Sequence, residues 1–385
     1  MKINDYLVPV GLDKPGETYI SFGSQFGTNI LVHTPSEPVK NLSNYNIAIL
    51  GVPEDRNSLN KGSSLAPDSI RAELYQLSKI HTKASIIDLG NLKEGNTFND
   101  TYHGLKDVIT ELLNNQLVII LLGGTQDLTY PVYQAYEKQK QLVNIVTIDS
   151  RLDIDPENKN IFNSLSYLNK ILLDKKSKLF NYTNIGHQQY LVDPRNAELI
   201  NRLHHEATRL GIVRNNMSLI EPHLRDADVI SFDIGAIKKS DAAANRFATP
   251  NGFYSEEACQ IARYAGMSDA TSTFGIFEVN PKFEDQRSTA QLAAQLTWHF
   301  IEGFTARKIE FPGNKKDFKT FIVGQENMGY EITFHKSLVT DRWWMEIPSA
   351  TKKGSVFMAC SHEEYKQACN HEIPDLWWKA FQKLS

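Results

Sequence analysis

The chain has 385 residues, 41% of them hydrophobic and 22% charged, with a formal net charge of -4. That length accommodates one large α/β domain with extensions or two smaller domains, and the apolar content is enough for a full core. The small net charge gives no electrostatic ground for nucleic acid or an anionic membrane, and the three cysteines, Cys259, Cys360 and Cys369, lack the spacing of a disulfide framework or zinc site.

The N-terminus MKINDYLVPVGLDKPGE lacks a basic start followed by an apolar core. No apolar run approaches the roughly 20 residues of a membrane span. A cytoplasmic protein without membrane insertion is therefore the expectation. Residues 1–40 carry prolines, glycines and aromatics without a period and read as a lead-in packed on the main domain. From Ile47 the pattern turns regular. NIAIL is a short strand ending at Gly51-Val52-Pro53, and a polar loop, EDRNSLNKGSS, follows it. Pro67 and Asp68 open a helix with Ile70, Leu74 and Leu77 on one face. ASIIDLG is the next strand, and HGLKDVITELLNN the next helix. Leu117–Leu122 is apolar at every position, which marks a strand buried on both faces of a parallel sheet. Thr129 and Pro131 look like the N-cap and first turn of a helix. VNIVTID is a strand, SLSYLNKILLD a helix and LFNYTNIGHQ a strand.

Asp193-Pro194 opens a helix whose Leu199, Leu203 and Leu210 share a face and which Gly211 closes. DVISFDI and FGIFEV are strands, each followed by a helix. Strands alternating with helices imply right-handed crossovers and a mostly parallel sheet of about eight strands. The pattern changes past Phe311-Pro312-Gly313: TFIV, YEITFHKS and RWWMEIP read as strands with tight turns, HEEYKQACN and PDLWWKAFQ as short helices. The expected division is a lead-in over 1–40, a core over 41–310 and a C-terminal extension over 311–385.

In open α/β sheets the loops at the carboxyl ends of the strands form the ligand crevice. Four of them carry the candidate site: Gly123-Gly124-Thr125-Gln126-Asp127, Asp149-Ser150-Arg151-Leu152-Asp153, Ser231 through Lys238, and Glu278-Val279-Asn280-Pro281. In order and separation they resemble the GGDHS, DAHxD, SxDxDxxDP and ExNP segments of the arginase superfamily of ureohydrolases. The likeness spans roughly residues 45–307, with IGHQQY leaning toward the formimidoylglutamase branch. It implies an arginase-like three-layer α/β/α sandwich. It also implies chemistry in which two manganese ions activate a bridging hydroxide against an amidine or guanidine carbon.

Half of the family's six ligand positions differ. Gln126 stands in place of a His, Arg151 in place of the His between Asp149 and Asp153, and Gly235 in place of the partner of Asp233. Lys238 stands where the family's DP aspartate falls. Gly supplies no side-chain ligand, and Arg stays protonated in proteins. Three carboxylates packed together without metal repel one another, so Arg151 is expected to form a buried fork with two of Asp149, Asp153 and Asp233, with Lys238 as a second substitute cation. Glu278 and Asn280 mark the former substrate pocket. Glu278 either holds a cationic ligand or is salt-bridged to Arg151 or Lys238, the blander reading being preferred. His187 reads as a satisfied structural residue rather than a substrate contact. Trp343-Trp344 and Trp377-Trp378 read as core before they read as partner anchors.

Three functions follow. The leading expectation is a pseudoenzyme without the dimanganese centre, needing no cofactor and acting as a scaffold or interaction protein, with a protein partner reached through the C-terminal extension. The second is hydrolysis of a C–N bond in linear amidines with one manganese on Asp149, Asp153 and Asp233. The third is a small-molecule sensor using the old pocket. Homo-oligomers are expected by family analogy alone.

Overall fold

A computed structural model describes residues 2–11, 23–140, 142–325, 330–349 and 354–385. Part of the lead-in, residues 12–22, lies outside them.

The main sheet has ten strands. They are β1 (Leu7–Val8), β2 (Leu31–Val32), β3 (Ile47–Val52), β4 (Ile86–Leu92), β5 (Val118–Gly123), β6 (Val143–Ile148), β7 (Leu179–His187), β8 (Glu206–Arg209), β9 (Val229–Asp233) and β10 (Thr273–Phe277). Their order is β1-β4-β3-β5-β10-β9-β6-β7-β8, with β2 also on β4. Every pair is parallel except β1 with β4, so both described strands of the lead-in join the sheet.

The helices are α1 (Ala66–Leu74), α2 (Phe98–Asn114), α3 (Thr129–Glu137), α4 (Asn169–Leu172), α5 (Pro194–Arg202), α6 (Leu210–Asn215), α7 (Glu221–Asp226), α8 (Ser255–Met267) and α9 (Ser288–Thr305). Side chains alternate across each strand. Ile47, Ile49, Ile120 and Leu122 join the core beneath α1, α8 and α9, whereas Ala48, Leu50, Ile119 and Leu121 join the core beneath α2 and α3. This is the arginase-like three-layer sandwich, and eight of its strands, β3 to β10, form the continuous parallel array. Between α8 and α9 the backbones approach so closely that a Cβ on Gly266 would lie 2.0 Å from the Phe300 carbonyl oxygen.

The helix expected from Asp193 to Gly211 is interrupted. Asp193 caps α5, which stops at Arg202, His204 takes a left-handed φ of 59°, and Glu206–Arg209 becomes edge strand β8 on β7. Pairing with an open sheet edge outweighs the helical pattern there. The helix read in SLSYLNKILLD shortens to α4.

A second, antiparallel sheet follows, β11 (Phe318–Gln325), β12 (Tyr330–Ser337), β13 (Trp343–Pro348) and β14 (Ser355–Cys360), with α10 (His362–Cys369) and α11 (Asp375–Leu384). Its core holds Trp343, Trp377 and Leu384 and takes in Phe180 from β7. The buried Arg225 guanidinium donates to the carbonyls of Trp343 (3.0 Å) and Cys360 (3.2 Å) and stacks on Trp344, while Ala359 N donates to Asp226 (2.6 Å). Lys379 meets Glu206 at 2.8 Å. These contacts fall at the amino ends of β7, β8 and β9, on the opposite edge of the sheet from the candidate loops, which leave the carboxyl ends of β5, β6, β9 and β10.

Candidate functional site

Sheet register brings the four loops together. Leu122 of β5 pairs with Ile276 of β10, Phe277 of β10 with Asp233 of β9, and Phe232 of β9 with Ile148 of β6. The segments after residues 123, 277, 233 and 148 therefore leave adjacent strands at one level. Asp149, Asp153 and Glu278 are buried, and Asp233 keeps some contact with solvent.

Gln126 is fully buried and sits among two carboxylate oxygens and a hydroxyl. These neighbours set its amide orientation. The nitrogen donates to Asp149 Oδ2 (3.1 Å) and Asp153 Oδ2 (3.0 Å), and the oxygen accepts from Ser231 Oγ (3.2 Å). The Ser231 hydroxyl also meets Thr129 Oγ1 at 2.7 Å. Thr129 lies inside α3 rather than capping it, because a 3-10 turn, Gln126–Leu128, precedes the helix.

Glu278 adopts a left-handed φ of 66°, an uncommon conformation for a side chain of its size. Gln126 N donates to Glu278 Oε1 (2.9 Å), and Asn60 Nδ2 donates to Glu278 Oε2 (2.8 Å) and to its carbonyl oxygen (2.9 Å). Asn280 Nδ2 donates to Asn60 Oδ1 (2.9 Å) and to the Lys61 carbonyl (2.9 Å). Asn280 thus acts as a brace for the Asn60 loop. Asp233 Oδ1 accepts from Gly235 N (2.6 Å) and Asn245 Nδ2 (3.3 Å).

Burial, and after it mutual repulsion, pushes Asp149 and Asp153 well above the usual carboxylate range. Burial and Asp233 push Glu278 up as well. Asp233 is raised to about 7 by burial, against the opposing effects of the Gly235 amide and the Arg151 charge. Behind the cluster, the buried Asp127 accepts a short hydrogen bond from Tyr102, and burial raises it to about 6.

The expected cations sit elsewhere. Arg151 forms no fork: no ion pair joins it to a carboxylate among the described residues, its guanidinium lies 5.7 Å from the Phe247 ring centroid, and its Nε is buried without a partner. Its charge acts on Asp153 and Asp233 only from a distance. Lys238 pairs with Asp241 (3.5 Å) and lies over Tyr254 (3.9 Å). The Ile234–Ala236 turn and the Ile237 bridge to Phe253 carry it out of the cluster. The preferred salt bridge of Glu278 to Arg151 or Lys238 is likewise replaced, by Asn60 and the Gln126 amide. Sequence reading missed Asn60 and Asn245. The only signal for Asn60 is its place in the loop that follows β3 into the crevice.

These residues fit a dimanganese centre poorly. The Gln126 amide presents a donor, not a lone pair, to Asp149 and Asp153. A Cβ on Gly235 would lie 3.0 Å from Asp233 Oδ1 and 3.2 Å from Asn245 Nδ2, so a second carboxylate there would require both side chains to shift. Among the described residues, no group of three or more His, Cys, Asp or Glu has an arrangement suited to a metal ion.

The sheet order, the layers and the loop cluster define an arginase-like α/β protein. The sequence model of the arginase family matches residues 45–302, and the chain belongs to that family. It is 25% identical over 268 residues to the formimidoylglutamase of Staphylococcus aureus strain MRSA252, covering 66% of this chain and 86% of that protein. Among solved structures it is similar to Trypanosoma cruzi formiminoglutamase with Mn2+2, at TM-score 0.65 and 19% identity over 70% of this chain and 97% of the other. It is also similar to Bacillus subtilis formimidoylglutamase, at TM-score 0.66 and 17% identity over 77% and 97%. No helix among the described residues is long and apolar enough to cross a membrane.

Proposed function

We propose that this chain is a formimidoylglutamase-like member of the arginase family in which the metal centre has become a metal-free, hydrogen-bonded carboxylate cluster, and that it acts as a scaffold or interaction protein. The observation that carries this reading is the buried Gln126 amide, which bridges Asp149 and Asp153 at 3.1 and 3.0 Å. A donor there satisfies the two carboxylates that a cation would otherwise hold together. Gly235 supports the same reading, since it supplies no side-chain ligand beside Asp233.

Similarity to relatives, taken alone, points to the second reading: hydrolysis of a C–N bond in a linear amidine, with one manganese on Asp149, Asp153 and Asp233. The relatives compared are formimidoylglutamases, and one solved structure carries Mn2+2. Elemental mass spectrometry separates the two, on protein purified without chelator and soaked in manganese. The metal-free reading expects a stoichiometry below about 0.1 per chain, because protonated and amide-bridged carboxylates must be freed before they can bind. One ion per chain together with turnover of formimidoylglutamate would establish the second reading and overturn the first.

A further inference from the structure

The C-terminal sheet ends in two edge strands, β11 and β14, and the fold treats them differently. β14 is held by α7: Ala359 N donates to Asp226 at 2.6 Å, and the Cys360 carbonyl accepts from Arg225 at 3.2 Å. Among the described residues, β11 has no such contact on its outer side. Its register with β12 runs without a bulge from Phe318 opposite Ser337 to Gln325 opposite Tyr330. Just before the strand, Leu338 N donates to the Asp317 carbonyl at 2.9 Å, which fixes the alternation of this antiparallel ladder. Lys319, Phe321 and Val323 therefore turn their backbone groups to β12. Phe318, Thr320, Ile322 and Gly324 turn theirs outward, where no described residue bonds to them.

Edge strands are ordinarily protected by brevity, by proline, by a bulge or by several charges. The main sheet follows this rule, with edge strands of 2 residues at β1 and 4 at β8. β11 does not. It has 8 residues, FKTFIVGQ, with Lys319 its single charge and no proline, and Ile322 is 63% exposed.

The strand also complements itself. Two antiparallel copies related by a two-fold axis at Phe321 set Phe318 opposite Gly324 and Thr320 opposite Ile322, so every outward backbone group finds a counterpart. Gly324 puts no side chain against the Phe318 ring. Lys319 falls opposite Val323, so no like charges face each other. The two Ile322 side chains lie on one diagonal of the same face and cover each other.

We propose that β11 pairs antiparallel with β11 of a second copy of this chain, joining two C-terminal sheets into one across a two-fold axis. A single strand pair falls at the small end of specific interfaces, so a reversible dimer with a Kd on the order of 10 µM is expected. The inference does not depend on whether the carboxylate cluster holds metal.

Sedimentation equilibrium of the full chain between about 1 and about 200 µM tests it, with the mass expected to rise from monomer toward dimer. Ile322→Lys sets two cations on the shared diagonal and is expected to weaken the dimer at least about tenfold. Ile322→Pro removes an outward N–H without breaking a bond to β12, a placement that edge strands tolerate, and is expected to weaken it as much. Should either variant fail to fold, amide hydrogen exchange on the unmodified chain decides: the Thr320 and Ile322 amides are expected to slow as concentration rises. A chain that stays monomeric at about 200 µM, as it would if the edge served only another protein, would overturn the proposal. So would a dimer that both folded variants leave intact, or exchange at Thr320 and Ile322 that is independent of concentration.

Discussion

Replacing Gln126 with Leu tests the rebuilt centre most directly. The substitution keeps the volume close to that of Gln and removes the donor to Asp149 Oδ2 and Asp153 Oδ2. Hydrogen bonds to charged groups are worth about 1.5–3 kcal/mol each. Placing Leu in a fully buried site returns about 1 kcal/mol of transfer free energy. Ser231 keeps its bond to Thr129, so no orphan arises on that side. The expected loss is about 3 kcal/mol at pH 8. The sign with pH follows from what the amide stabilises. It favours ionised carboxylates, so its removal raises the already elevated Asp149 and Asp153 further. The penalty is therefore largest where those groups are forced to ionise. As pH falls and the pair takes up protons, its hydroxyls donate in place of the amide, so the cost shrinks toward acid pH. Urea unfolding followed by far-ultraviolet circular dichroism at both pH values measures this. A loss below about 1 kcal/mol at pH 8, or a larger loss at pH 5 than at pH 8, would refute the reasoning.

Two further outcomes follow from the same geometry. Arg151→Met is expected to cost no more than about 1 kcal/mol in urea unfolding, because its guanidinium forms no carboxylate fork; a loss of several kcal/mol would restore the fork. Asp233 is raised from 3.8 to about 7, so the folded state binds the extra proton and stability falls as pH rises through that window. Asp233→Asn, which keeps an acceptor for Gly235 N, is expected to flatten the stability profile between pH 5 and 8 by up to about 2–3 kcal/mol, and an unchanged slope would count against the assignment.

The chain determined by itself the alternation of strands and helices, the parallel core and the four loops that meet. Strands buried on both faces must be apolar throughout, and runs such as Leu117–Leu122 cannot hide that requirement. The same logic fails at the sheet edge: the half-exposed polar strand Glu206–Arg209 has no such run, and only its pairing with β7 reveals it. The positions of Gln126, Asp149, Asp153, Asp233 and Glu278 were legible because each stands at the end of a buried strand. Their partners were not. Asn60 reaches Glu278 across 218 residues, and no local pattern records such a contact. Charge alone suggested that Arg151 and Lys238 would neutralise the cluster. The tertiary structure decided otherwise, because the direction of a side chain beyond a strand end is set by the loop it stands on: one turns toward Phe247, the other toward Asp241 and Tyr254, and a neutral amide stands between the carboxylates instead.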